Sequence, residues 1–591
     1  MSKNNSTSTK EVNEFKIEDG KLCDSNASGI QPLCNFVAEI TQDISVIDID
    51  GVITHSYRIS GINCLGVVLP TVEVRAVDFE KMDWPENSWG LDADIENLRG
   101  IKSKLAKAIK MNSKNVQKFS VYGFSGFVKI EEELGYVTTS GCIFADRFDT
   151  SIKAYVPGAL VQYSVSNDYG GDFDLKENIL EILHKTDCYK NNKSVSVVIK
   201  GFIFRSVLSY LNPLELSLFM VGGTGAYKTT AAMNFQSFFG RGFCDSGAPA
   251  TFNDTGMAIE SKRKSIQHGI MVADDFVTTV ENKKNEDAAK ADTFFRGVAS
   301  KTSRDRCSAN GQLIQTQYGG ASILATGEHV PEGVLQSLNE RITFLAIERS
   351  DVDIETLTRM SENAKAGDFE VLMFYFIQYI IKHEDKIKEE INKKSNNFRD
   401  RLKKDTNNTF HPRRYNNAAS LLVGLYYFVR FALHHKVIHK KQANKIFREY
   451  LELIGQVMLE QERILNSNSA HTQLCDFILK GLKTNKFHLE TYQKVENKCE
   501  TDSLCIGWYD EKKSAVYIKS EAAVLNKMCK SVPENLKKIL LVNSASFWRS
   551  ILQENGLVKT DPNKTTIRRK PVLNGDSQRV YYLDIELDSA L

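Results

Sequence analysis

At 591 residues the chain is too long for one ordinary core and, at roughly 100 to 200 residues per domain, predicts about three to five domains. With 42% hydrophobic and 25% charged residues it has the composition of a soluble globular protein, and a formal net charge of +2 excludes a molecule drawn as a whole to nucleic acid or to membrane. Any nucleic-acid surface must therefore be local.

Eleven cysteines without a CxxC pair read as reduced thiols of a cytoplasmic protein, and their spacing suggests no zinc site. Residues 1–10, rich in Ser, Asn, Thr and Lys, predict a disordered tail that is neither a signal peptide nor an anchor. The most apolar runs, 371–381 and 418–433, are short or interrupted by Gln378 and Arg430, so they read as buried helices rather than membrane spans of about 20 residues.

In chain order, the alternation from Ser45 to Ile59 around Asp50-Gly51 predicts a β-hairpin. Asn97 to Met111 has helical spacing, and Phe119 to Phe144 reads as short strands punctuated by Gly123, Gly126, Gly135 and Gly141. Residues 11–191 thus form an expected α+β amino-terminal region. Residues 195–350 alternate strand-like and helix-like segments, the pattern of an α/β domain, and 351–465 is almost wholly helical. The Lys/Glu-rich run from Lys382 to Lys404 reads as a solvated face, with a DNA contact as the alternative. A Ser/Asn linker at Asn466–Ser469 separates off residues 470–591, expected to mix helices with a final hairpin.

The chemistry concentrates in 195–350. Leu214 to Val221 predicts a buried strand, and Gly222-Gly223-Thr224-Gly225-Ala226-Tyr227-Lys228-Thr229 follows the phosphate-loop pattern except that Tyr227 stands where its last glycine belongs. Small residues let backbone N–H groups face phosphates, Lys228 would meet the β- and γ-phosphates of ATP, Thr229 would ligate magnesium, and a helix opens from Thr230 onward. A tight strand-to-helix turn is the plain alternative. A second apolar strand, His268 to Phe276, ends in Asp274, placed to hold Mg2+ through water, and Asp275, placed to orient or deprotonate the attacking water. On its own such a pair would read as a turn or helix cap. A third strand, Ala321 to Gly327, brings Thr326 to the position of a sensor in the additional-strand ATPases. Arg341 precedes the strand Ile342 to Ile347 as an arginine finger or an ordinary surface arginine. Between these strands a hairpin around Asn310-Gly311 carries Lys301, Arg304 and Arg306, suited to tracking the phosphates of single-stranded DNA; an idle basic hairpin is the alternative.

With these residues in place the chain resembles the MCM-like AAA+ self-loading helicases of staphylococcal mobile elements, the pathogenicity-island Rep proteins and cassette-chromosome helicases. Val121-Tyr-Gly-Phe-Ser-Gly-Phe127, Gly135-Tyr136, Ser140-Gly-Cys-Ile143, Thr251-Phe-Asn-Asp-Thr-Gly-Met-Ala-Ile-Glu260, Ala325-Thr-Gly-Glu328 and Asn339-Glu-Arg-Ile342 carry the likeness over most of the chain. Tyr227 departs from the pattern, as does Asp275, where the family usually has Glu; both departures are expected to slow hydrolysis. The resemblance implies an AAA+ core, a hexameric ring with ATP at subunit interfaces, Arg341 supplied in trans, and a sensor arginine in a helical lid, for which Arg413 or Arg414 in His411-Pro-Arg-Arg-Tyr415 is the candidate. A helix-start arginine is the alternative there.

At the carboxy terminus, Ser544 to Gly556 has a serine cap, helical spacing and a glycine stop, and contains Arg549. Two strands flanking Asn574-Gly575 follow, giving the helix-plus-hairpin outline of a winged helix. From Lys559 to Arg579 six basic residues, including Arg568, Arg569 and Lys570, face two aspartates, a local patch suited to duplex origin DNA or, alternatively, to a protein partner. The expectation is an ATP-dependent DNA helicase and replication initiator with α/β multi-domain architecture, acting without a membrane. An ATP-switched origin-binding or melting protein is the alternative, and a remodeller of protein is a third reading.

Overall fold

The computed structural model describes residues 15–26, 29–276, 291, 295–298, 306–307, 313–314, 320–328, 330, 340–467, 470–492, 503–512, 515–519, 524, 527–528, 567–569, 571 and 576–583. They form a mixed α/β protein of several regions, and none of the described helices is long and apolar enough to cross a membrane.

The first region opens with a three-stranded sheet, Phe15–Glu18, Lys21–Asn26 and Gly29–Pro32, and continues into a four-stranded one. Phe36–Ile47 pairs antiparallel with Ile53–Asn63, the hairpin expected around Gly51, and Val68–Arg75 and Gln117–Tyr122 complete it. Asp48 shapes the hairpin turn by accepting the N–H groups of Asp50 and Val52. The helix Ile101–Asn112 turns Leu105, Ala106, Ala108 and Ile109 into a separate core with Phe36, Phe79, Trp84 and Trp89. A second sheet, from Gly126–Ile130 to Phe148–Asp149, instead shares its core with the parallel sheet that follows, through Phe127, Tyr136 and Ile143.

That parallel sheet has five strands in the order Ala250–Thr251, Ile270–Phe276, Ser322–Gly327, Ser217–Val221 and Ile342–Ala346. Ser217–Val221 lies between Ser322–Gly327 on one side and Ile342–Ala346 on the other. Its neighbours on the two sides are thus reached by different connections, the kind of switch point whose carboxyl end forms a crevice in open α/β sheets. Phe219 anchors the sheet against Phe276, Phe295 and Phe344, with ring centroids 5.7 to 6.1 Å apart. Each such buried ring contributes about 2 kcal/mol.

Behind the sheet, the helix Lys193–Val207 is buried along nearly its whole length and lies on Pro412–His434. Contact is close at Gly424, where a Cβ would come 2.1 Å from the Gly201 carbonyl oxygen. Phe204 stacks on Phe428 at 4.0 Å. Ile354–Ala366, Asp368–Lys382, Glu384–Asp405 and Lys440–Ser467 complete the helical stretch expected after residue 351.

The carboxy-terminal part is richer in strands than the sequence predicts. After the helix Ala470–Lys483, Phe487–Thr491, Leu504–Asp510 and Ala515–Lys519 join the hairpin Ile567–Arg569/Gln578–Leu583 in one five-stranded sheet. The expected hairpin is present as the far edge of that sheet. Phe487–Thr491 and Leu504–Asp510 run parallel. Such a pair has no short turn to announce it in sequence.

Candidate functional site

The glycine-rich loop leaves Val221 at the carboxyl end of the central strand. Glycine is required at 222, where a Cβ would lie 2.1 Å from the Ile347 carbonyl oxygen. Tyr227 ends the loop in the left-handed region, φ +52°, a conformation that costs a side-chain-bearing residue about 1 kcal/mol and that glycine adopts freely. Helical backbone therefore begins at Lys228, two residues earlier than expected, and runs to Gln236. The N-cap residue Tyr227 accepts none of its N–H groups, an arrangement that suits phosphate at the helix start.

Lys228 reaches back over the loop, its ammonium donating to the carbonyl oxygens of Gly222 (2.7 Å) and Gly223 (3.0 Å). Burial pulls its pKa below the ordinary lysine value, against the fields of Glu328, Asp274 and Asp275. The acidic strand does not simply stop at its two carboxylates. Three steps from Ala273 to Phe276 lie opposite two from Ala325 to Gly327, a bulge in which Asp275 takes φ +64°. Bulges re-aim side chains, and this one leaves Asp275 exposed while Asp274 stays half-buried.

Thr326, 1% exposed, joins the two acidic residues. Its hydroxyl donates to Asp274 Oδ1 and accepts the Asp275 N–H at 3.2 Å. Thr229 Oγ1 donates to the same Asp274 oxygen at 2.9 Å. A threonine hydroxyl beside a carboxylate is an oxygen-rich donor set that fits a hard, small cation such as magnesium. Thr224, Gly225, Ala226 and Thr230 complete the loop and the first helical turn.

Two residues at the crevice had no assigned role in the sequence reading. Glu328, two positions beyond Thr326, accepts a hydrogen bond from the Thr224 hydroxyl and so links the strand Ser322–Gly327 to the loop. Arg349 brings its side chain to 4.0 Å from where a Cβ of Gly225 would sit. Glu328 was visible as the last residue of Ala325-Thr-Gly-Glu328. Arg349 carried no signal, because its place follows from where the fifth strand ends.

The remaining candidates lie elsewhere. Arg341 is at the amino end of the fifth strand, its carbonyl accepting from Ser217 N–H, so one strand length separates it from the loop of its own chain, on the order of 15 Å. Arg341 and Arg413 line one cavity with Glu340 and Asn417. Arg414 is buried and paired with Glu340 at 2.9 Å and with Glu462. All three arginines thus gather at the amino end of the sheet. Lys301, Arg304, Arg549 and Lys570 lie outside the described residues, as do the helix 544–556 and the Asn310-Gly311 turn. Arg306 belongs to a short strand paired with Leu313–Ile314, Arg568 is exposed on the terminal hairpin, and Arg569 pairs there with Gln578.

No protein-family model matches the chain, and no curated protein matches it. Among solved structures it is similar to Cch, an active helicase of the type IV SCCmec element, with a TM-score of 0.52 and 16% identity over 97% of this chain and 98% of that one. It is also aligned with the C-terminal region of NrS-1, at a TM-score of 0.31 and 10% identity over 91% of this chain and 95% of that one. The likeness to Cch is one of fold: the two share a mixed α/β architecture over nearly their whole lengths.

Proposed function

We propose that the chain is an ATP-dependent DNA helicase and replication initiator of a mobile genetic element. The carrying observation is the convergence of Thr229 and Thr326 on Asp274, beside Lys228 and a helix start that Tyr227 does not cap. The fold shared with a cassette-chromosome helicase supports the same reading. In it, residues 195–350 are an AAA+ core, 351–465 a helical lid, 11–191 an amino-terminal α+β region and 470–591 a winged-helix module.

Lys228 and the loop N–H groups hold the β- and γ-phosphates of ATP. Thr229 and Asp274 would hold Mg2+, which would supply neutralisation of charge on the phosphate oxygens. Asp275 orients a water and takes its proton as the oxygen attacks the γ-phosphorus, while the bond to the bridging oxygen breaks and ADP leaves. Arg341 cannot span the sheet to its own loop, so its place in catalysis is at the loop of a neighbouring copy in a ring, which we take to be a hexamer. Arg413 or Arg414 serves as the lid's sensor arginine. Arg414 is already held by Glu340 and Glu462. Lys301, Arg304 and Arg306 track single-stranded DNA in the channel, and Arg549, Arg568, Arg569 and Lys570 meet duplex origin DNA.

Fork unwinding by the wild type beside Lys228→Ala tests this reading. Unwinding and DNA-stimulated ATP hydrolysis should both disappear in the variant while DNA binding persists; unwinding that survives would exclude the motor. A second reading, an ATP-switched origin-binding or melting protein, is favoured by the left-handed Tyr227 and the bulged, short Asp275. It predicts ATP-dependent origin distortion without fork unwinding by the wild type.

A further inference from the structure

Outside the crevice, one group of unlike side chains is drawn together by strand register. His488 and Glu490 alternate along Phe487–Thr491 and so share one face of that strand. His488 pairs directly with Cys505 on the neighbouring strand, and Ile506 is then bulged out of register so that Leu489 pairs with Gly507. The ligand atoms of His488, Glu490 and Cys505 lie within 4.8 Å of one another, and all three residues are half-buried. Neither 488 nor 505 belongs to a Cys/His spacing motif, which is why the sequence suggested no such site.

The surroundings are those of metal ligands rather than of an acidic surface. Ser503 Oγ lies 2.8 Å from His488 Nδ1 and fixes the ring. Lys519 donates to Cys505 Sγ at 3.1 Å while its ammonium sits 4.9 Å over the Trp508 ring. An N–H donor to one sulfur lone pair is compatible with metal on another.

We propose that His488, Glu490 and Cys505 form a zinc site. Nitrogen, oxygen and sulfur donors together suit zinc and not the oxygen-seeking magnesium of the crevice. Three protein ligands leave a fourth position to water. Binding displaces the thiol proton to solvent and leaves thiolate, carboxylate and neutral imidazole around the dication. Phe487–Thr491 is an edge strand paired only with Leu504–Asp510 among the described strands, so the ion would clip the edge of the sheet to its neighbour.

Cobalt(II) serves as the probe, added to the purified full-length chain under reducing conditions and followed by absorption. The expected result is a near-ultraviolet thiolate-to-cobalt band that saturates near one equivalent and is bleached by zinc. Cys505→Ser should abolish the band, and His488→Gln should weaken cobalt affinity at least tenfold, testing the site from the opposite strand. Absence of the band in the wild type, or its survival at full strength in both variants, overturns the proposal. Neither readout depends on ATP hydrolysis.

Discussion

At the carboxyl end of the parallel sheet, Thr229, Asp274, Thr326 and the Asp275 N–H form one hydrogen-bonded chain, with Glu328 tied to Thr224 and Lys228 in the field of all three carboxylates. At the amino end, Arg341, Arg413 and Arg414 collect around Glu340. One end gathers hydroxyl, carboxylate and ammonium groups within a single chain, the set proposed to hold phosphate and a cation. The other is rich in arginine but a strand length away. On the proposed reading the site is half complete in each copy, so the contrast should show as two halves that respond differently to substitution.

The largest expected effect is at the carboxyl end. Lys228→Ala should lower ATP turnover by about 10²- to 10³-fold, as loss of a charge-stabilising donor does, while the unfolding midpoint stays near wild type. Undiminished turnover would remove the crevice from consideration. At the amino end the order reverses for one residue. Arg414→Ala leaves Glu340 and Glu462 without their guanidinium and should cost about 3 kcal/mol in denaturant unfolding. Arg413→Ala, on the exposed side of the same helix start, should stay within about 0.5 kcal/mol. Equal costs would mean that Arg414 is not the structural member of the pair.

A pH series separates the sheet's amino end further. His268, just before the second strand in the order of the sheet, is half-buried, and its Nδ1 accepts the Phe127 N–H at 3.2 Å. Burial holds its pKa down to about 3. The unfolded chain takes up this proton near pH 6.5 and the folded chain does not, so stability is present at neutral pH and is lost as pH falls through this window. The loss from this group should be about 2 kcal/mol between pH 7 and pH 5. Urea midpoints at the two values should converge in His268→Asn relative to wild type; an unchanged difference would assign the acid sensitivity to other groups. The smallest effect belongs to Tyr227→Gly. Relief of about 1 kcal/mol of left-handed strain is offset by the freedom glycine adds to the unfolded chain, so stability should barely move. Turnover should rise, by about fivefold at most if all the strain falls on the loop.

Much of the carboxyl end was legible because its signals are local. The glycines and Lys228-Thr229, the apolar run into Asp274-Asp275 and the strand ending at Thr326 can each be read within ten residues. What joins them could not be read. The bulge at Asp275 depends on pairing with a strand some fifty residues away, and Glu328 gains its role from a contact with Thr224 104 residues earlier in sequence. Arg414 read as a sensor candidate, but its partners Glu340 and Glu462 are 74 and 48 residues distant, and nothing near it marks burial. The strands Phe487–Thr491 and Leu504–Asp510 were missed for a related reason: a parallel pair joined by a long connection has no turn signature. Lys193–Val207, buried on almost every side, lacks the one-sided periodicity that identifies a surface helix.

The most direct test of the divided site mixes copies. Lys228→Ala and Arg341→Ala chains should each hydrolyse ATP poorly alone, yet recover a measurable fraction of wild-type turnover when mixed, because some interfaces then join an intact loop to an intact arginine. A mixture no more active than its components, or an Arg341→Ala chain as active as wild type, would contradict an arginine supplied by the neighbouring copy.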